Sequence, residues 1–152
     1  MTTAPERLRE AGLRATIPRV AVLGLLAEGG HHTAEAVADA TRARLGAVST
    51  QAVYDVLSAL VRAGLARTIE PAGSPRLYEA RVADNHHHLV CRACGTVVDV
   101  DCAVGETPCL TPAEAHGFVL DEAEVLFWGL CPGCRARTDD AHDERPLPEG
   151  VR

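Results

Sequence analysis

The chain has 152 residues, a net charge of −6, and 47% hydrophobic but only 3% aromatic residues. That length holds one domain or two small ones, with a core of Leu, Val and Ala. Overall acidity by itself argues against nucleic acid, but residues 1–82 carry 10 Arg against 8 acids and residues 83–152 carry 5 Arg against 13 acids. A mildly basic half joined to an acidic half implies two modules with different tasks. Six cysteines with no signal peptide point to a reducing compartment and to metal or thiol chemistry rather than a disulfide framework. The longest apolar run, Val20–Ala27, is too short to span a bilayer, so no membrane association and a cytoplasmic location are expected.

In chain order, Pro5–Glu10 reads as a short helix stopped by Gly12. Thr16 is placed to cap a second helix, Ile17–Glu28, whose apolar face is Ile17, Val20, Ala21, Leu23 and Leu26. Thr33 caps a third, Ala34 to about Arg44. Ser49 caps a fourth, Thr50–Ala63, with Val53, Val56, Leu57 and Leu60 at helical spacing and Gly64 beyond its end. RTIEPAGSPRLYE then reads as a hairpin around Pro71–Pro75. Helices followed by a two-stranded hairpin make a winged helix-turn-helix with the fourth helix as reader. Its exposed face offers Ser49, Thr50, Gln51, Tyr54, Asp55 and Ser58, where Gln suits adenine and Tyr or Thr a thymine methyl. Arg14, Arg19, Arg62 and Arg67 are candidates for phosphate contacts. The alternative is a helical protein-binding domain with Tyr54 merely half-buried.

The second half opens with HHHLVCRACGTVVDVD, two predicted strands around a turn at Ala93–Gly95. Alternation along the first strand puts His86 and His88 on one face and His87 and Cys91 on the other. Thr111–Gly117 is expected to be a short helix, and Phe118–Leu130 one or two strands with Glu122 and Glu124 outward. CPGC opens a last short helix, and the charged, proline-bearing sequence from Thr138 onward is expected to be disordered.

Two constellations carry chemistry. Cys91-Arg-Ala-Cys94 and Cys131-Pro-Gly-Cys134 are paired C-x-x-C motifs suited to tetrahedral zinc, though the 36 residues between them exceed the usual ribbon spacing. The competing reading is thiol redox chemistry, with Trp128 close before the second pair. Cys102 and Cys109 stand outside both pairs. His86, His88 and Asp99 form a mixed nitrogen–oxygen set that suits Fe(II), Mn(II) or zinc; the plain alternative is a solvated histidine-bearing strand. No H-x-E precedes a P-C-x-x-C, so the nucleobase deaminase pattern is absent.

The motif H-x-H-x-x-C-x-x-C-G, preceded by a winged helix and followed by a second C-x-x-C, resembles the Fur family of metal-dependent repressors. VSTQAVYDVL, RLYEARVADNHHHLVCRACG, VDVDCAVGE and LDEAEVLFWGLCPGC are similar to the actinobacterial FurA/CatR branch of peroxide-responsive repressors. The resemblance implies an α+β architecture. A winged helix-turn-helix would span residues 1–80, a hinge 81–85, a small α/β dimerisation and metal-binding domain 86–137, and a tail 138–152. It implies a homodimer on operator DNA, not an enzyme, with no organic cofactor, controlling its own gene and a catalase-peroxidase gene. A structural Zn2+ would sit on Cys91, Cys94, Cys131 and Cys134. A regulatory Fe2+ or Mn2+, for which Zn2+ can substitute, would sit on His31, Glu79, His86, His88 and Asp99, with His31 and His86 as targets of peroxide oxidation. Arg14 and Arg19 match basic residues near DNA. Asp99 resembles the peroxide sensors, whereas Glu79 resembles the iron-uptake regulators, so sensing by metal occupancy alone is the second reading and thiol-based sensing a third. His87 and Glu106 match parts of a further site, where Ala123 replaces an expected histidine. Asp55 stands where relatives carry Arg or Asn.

Overall fold

The computed structural model describes residues 2–82, 86–101, 112–120 and 123–139. Four helices come first: α1 (Ala4–Glu10), α2 (Ile17–Ala27), α3 (Ala34–Leu45) and α4 (Thr50–Arg62). Thr33 and Ser49 cap α3 and α4, their hydroxyls accepting from the backbone N–H of Ala36 and Ala52, each at 3.1 Å. Gly64 adopts φ 66° just past α4, which lets the Leu65 N–H reach back to the Leu60 carbonyl at 2.9 Å. The apolar faces of the helices close on one core, with Leu8, Leu23, Val37, Val53, Leu57 and Leu60 fully buried.

Strands β2 (Arg67–Ile69) and β3 (Leu77–Glu79) form the expected hairpin. A strand that the sequence did not announce, β1 (His32–Thr33), pairs with the other edge of β3, giving the order β1-β3-β2. It is two residues long, so it carries no alternation to read.

The second sheet has the order β5-β4-β6, built from β4 (His86–Cys91), β5 (Val97–Asp101) and β6 (Leu126–Gly129). β4 and β5 are antiparallel with His88 opposite Asp99; β6 runs parallel to β4 with Leu126 opposite His88. Gly95, at φ 73°, makes the tight turn between β4 and β5. One face of this sheet shows Leu89, Val98 and Phe127, each about half exposed. Helix α5 (Pro132–Asp139) follows and runs two residues into the segment expected to be disordered. Among residues 112–117 the expected helix is not formed. His116 and Gly117 both take positive φ, 48° and 82°, which no α-helix accommodates, and Phe118–Leu120 lies outside any strand. The expectations for Glu122, Cys102, Cys109, Glu106 and the tail from residue 140 fall outside the described residues, as do 83–85 of the hinge. Among the described residues no helix is long and apolar enough to cross a membrane.

Truncating Leu57, fully buried on the inner face of α4, tests this core. Leu57→Ala should cost about 2–5 kcal/mol, read as a lower urea midpoint of the helical unit with the slope unchanged.

Candidate metal centres and nucleic-acid interface

Two cross-strand neighbours supply the first half of a buried polar cluster. His32 pairs with Tyr78, so His31 and Glu79, one step further along each strand, are adjacent. The second half is His88 opposite Asp99, with His86 two residues back on the same face of β4. The halves meet. His31 Nε2 lies 3.2 Å from Glu79 Oε2 and 2.9 Å from Asp99 Oδ1. His88 Nε2 lies 3.3 Å from Glu79 Oε1 and 3.7 Å from Asp99 Oδ1. His86 Nε2 sits 3.3 Å from Glu79 Oε1 and 3.9 Å from Asp99 Oδ1. The rings pack edge to face, His31–His88 at 5.1 Å and His86–His88 at 4.9 Å between centroids. All five residues expected from the sequence therefore come together, drawn from both sheets.

The cluster is buried, and it is not satisfied internally. His31 Nε2, both ring nitrogens of His88, and Asp99 Oδ1 are buried without an aligned hydrogen bond, close as some of them lie. Buried polar atoms left in this way are costly. Donor atoms of His31, Glu79, His88 and Asp99 all lie within 4.8 Å of one another, as ligands of one cation would. Burial pushes the Glu79 carboxyl upward, but the surrounding imidazoles of His31, His88 and His86 override it and hold the group well below the usual carboxylate range.

Two arginines that the sequence did not assign to this place complete it. Arg67, expected at a phosphate, instead donates from Nε to Glu79 Oε1 at 2.9 Å, because β2 sets it opposite Glu79. Arg81 lies 3.5 Å from Asp99 Oδ2 and also binds Asp101. No local motif marks either residue; strand register places Arg67, and Arg81 lies two residues beyond the end of β3. A cavity of about 250 Å³, lined in part by Arg7, Gly29, Gly30 and Arg81, reaches Glu79 and Asp99.

The four cysteines form the second cluster, their sulfurs within 4.8 Å of one another. Cys94 and Cys131 sulfurs are 3.7 Å apart, against about 3.8 Å for two thiolates on one tetrahedral zinc. The Cys131 N–H donates to Cys91 Sγ at 3.3 Å, and Arg137 donates to Cys134 Sγ at 2.8 Å. Backbone N–H donors, that of Cys131 foremost, bring the Cys91 thiol down to about 6. The neighbouring Cys131 side chain and burial push Cys134 up to about 12. Four sulfurs at this spacing fit a zinc ion, with β4, the turn and α5 held at one point.

On α4, Gln51, Asp55 and Ser58 are exposed. Gln51 donates to Asp55 at 2.9 Å, and Thr50 accepts from Arg42 at 3.3 Å. Ser49 is exposed as well as capping the helix. Tyr54 is half-buried against the core, and its hydroxyl donates to Glu35 Oε1 at 2.8 Å, which raises its pKa. Arg14 is exposed and its carbonyl accepts from Arg19 at 3.2 Å, so these two basic residues lie together; Arg62 is exposed too. His87 is buried, its ring 6.3 Å from that of Phe127.

A winged helix bound to a second sheet through a histidine–carboxylate cluster defines a metal-responsive transcription regulator. The chain belongs to the ferric uptake regulator family, whose pattern it matches over residues 10–127, and to its FurA branch. It is 60% identical over 129 residues to the transcriptional regulator FurA of Mycobacterium tuberculosis, covering 85% of this chain and 88% of that protein. It is 57% identical over 121 residues to ferric uptake regulation protein 1 of Mycolicibacterium fortuitum, covering 80% and 75%. Among solved structures, the ferric uptake regulator of Pseudomonas aeruginosa with manganese superposes with a TM-score of 0.64 at 28% identity, covering 86% of this chain and 99% of that one.

Glu79→Gln should lower stability by roughly 2–3 kcal/mol in protein given no Fe(II) or Mn(II), since Arg67 and the histidines lose a buried charged acceptor. The folded carboxyl ionises below its ordinary range, so its contribution is present above that range and is lost as pH falls through the depressed value. The gap between wild type and variant in urea titrations should therefore persist down to about pH 5 and close only below it.

Proposed function

We propose that this chain is a homodimeric, peroxide-responsive repressor that binds operator DNA, with its own gene and a catalase-peroxidase gene as targets. The observation that carries the reading is that His31, from the helical unit, meets Glu79, His88 and Asp99 in one cluster with unsatisfied donor atoms, with His86 against Glu79 at its edge. A divalent ion there, Fe(II) or Mn(II), would have these five residues as ligands. Cys91, Cys94, Cys131 and Cys134 would hold a structural zinc.

The cluster joins the two sheets, so occupancy biases their relative orientation, and metal affinity and DNA affinity are coupled reciprocally. Closed, the pair of α4 helices in a dimer is spaced for successive major grooves. Ser49, Thr50, Gln51 and Tyr54 are the candidate base contacts, and Arg14 and Arg19 the candidate backbone contacts. The half-exposed apolar face of Leu89, Val98 and Phe127 supports association of two copies.

Fe(II) held by these residues would supply the single electron that splits hydrogen peroxide into hydroxide and a hydroxyl radical, the oxidant for a neighbouring imidazole. His31 and His86 are the candidates; the cavity beside Glu79 and Asp99 is large enough to admit peroxide. An imidazole that has taken up oxygen is a poor ligand, so the two sheets lose their tie and DNA is released. Sensing by metal occupancy alone is the second reading, favoured by Glu79.

Peptide mass spectrometry and a gel shift on its own promoter separate these readings. The expected result on Fe(II)-loaded protein given peroxide is one added oxygen on His31 or His86, zinc retained and DNA released. His31→Ala should abolish metal-dependent binding. No added oxygen, with DNA binding that tracks metal concentration only, would make it an uptake regulator. Loss of zinc with new disulfides would move the switch to the cysteines.

A further inference from the structure

His88 is fully buried, and neither ring nitrogen makes a hydrogen bond. Its Nε2 faces Glu79 and Asp99 inside the cluster. Its Nδ1 faces away, and 3.8 Å from it stands Glu124 Oε1. Glu124 belongs to none of the five expected ligands and lies just before β6, next to Ala123, where a ligand histidine was expected. Its backbone is fixed relative to His88, because the His88 N–H donates to the carbonyl of the adjacent Val125 at 3.2 Å. Its side chain is 45% exposed and retains the freedom to turn. At 3.8 Å the pair is too long for a hydrogen bond, and a small side-chain rotation closes it.

A neutral imidazole carries one proton, and the hydrogen bond on one nitrogen decides which nitrogen is left to bind a metal. A carboxylate on Nδ1 fixes the tautomer that offers the Nε2 lone pair to the cluster, makes that nitrogen more basic and holds the ring angle. We propose that Glu124 is the positioning residue of the regulatory centre: on metal binding its carboxylate accepts from His88 Nδ1–H and aims Nε2 at the ion. The proposal rests on the regulatory site described above. It gives the β4–β6 pairing a task in metal sensing, since β6 is what carries Glu124 to the outer side of His88.

The test is Mn(II) titration into the full-length, zinc-containing protein, with thermal melting in the absence of Mn(II). Variants are Glu124→Ala, Glu124→Gln and His88→Ala. Glu124→Ala should weaken Mn(II) binding about 10- to 100-fold, the range for loss of such an outer hydrogen bond. Its metal-free melting temperature should match wild type. Glu124→Gln keeps an acceptor oxygen and should recover part of the affinity, and the visible spectrum of Co(II)-loaded Glu124→Ala should differ from wild type. Wild-type affinity in Glu124→Ala, with binding lost in His88→Ala, would overturn the role of Glu124 and leave the site standing. Equal losses in Gln and Ala would point to charge rather than orientation and also overturn it. Unchanged Mn(II) binding in His88→Ala would bring down the site itself, and this inference with it.

Discussion

The rest of the structure depends on the contact between two cross-strand pairs, His31 beside Glu79 and His88 opposite Asp99. Each pair is local to its own sheet. Facing each other, they create a largely buried pocket of nitrogen and oxygen atoms, reached from one side by the cavity beside Glu79 and Asp99. One buried and one partly buried carboxylate need positive charge nearby. Arg67 holds one oxygen of Glu79 and Arg81 lies against the outer oxygen of Asp99, while the inner Asp99 oxygen stays without a hydrogen bond. The site is thus charge-compensated at its margin and unsatisfied at its centre, which is the condition under which a cation brings a large gain.

The cysteine cluster has a different physical character. Its ligands come in two i, i+3 pairs, one at the β4–β5 turn and one at the start of α5, and backbone N–H groups already favour thiolate at Cys91. It ties α5 to β4 and so fixes the sheet from which His86 and His88 project. One centre stabilises the geometry; the other joins that geometry to the helical unit. The division follows from ligand chemistry, since four soft sulfurs close a zinc shell and the mixed set does not.

The exposed face of α4 is held without being free. Ser49 caps α4, Gln51 is tied to Asp55, and the Tyr54 hydroxyl is bound to Glu35 on α3. Side chains restrained in this way lose less entropy on meeting a partner. Glu35 was invisible to reasoning on α4 alone, because its link to Tyr54 crosses between helices.

Helical periodicity, caps and stops were written locally, and α1 to α4, the hairpin, the β4–β5 ribbon and both C-x-x-C knuckles were legible for that reason. So was the alternation that puts His86 and His88 on one face. The helix expected near Thr111 was a misreading, because a Thr-Pro start says nothing about the His116–Gly117 backbone that follows. By itself the sequence determined α1 to α4, the hairpin and the β4–β5 ribbon, the paired cysteines as a metal motif and, through its resemblance to known repressors, the five candidate ligands. Only the tertiary structure decided that β1 brings His31 to Glu79, that Arg67 turns inward to Glu79, and that β6 sets Glu124 behind His88. Those juxtapositions depend on strand register between segments far apart in the chain, and register is fixed by packing rather than by any local pattern.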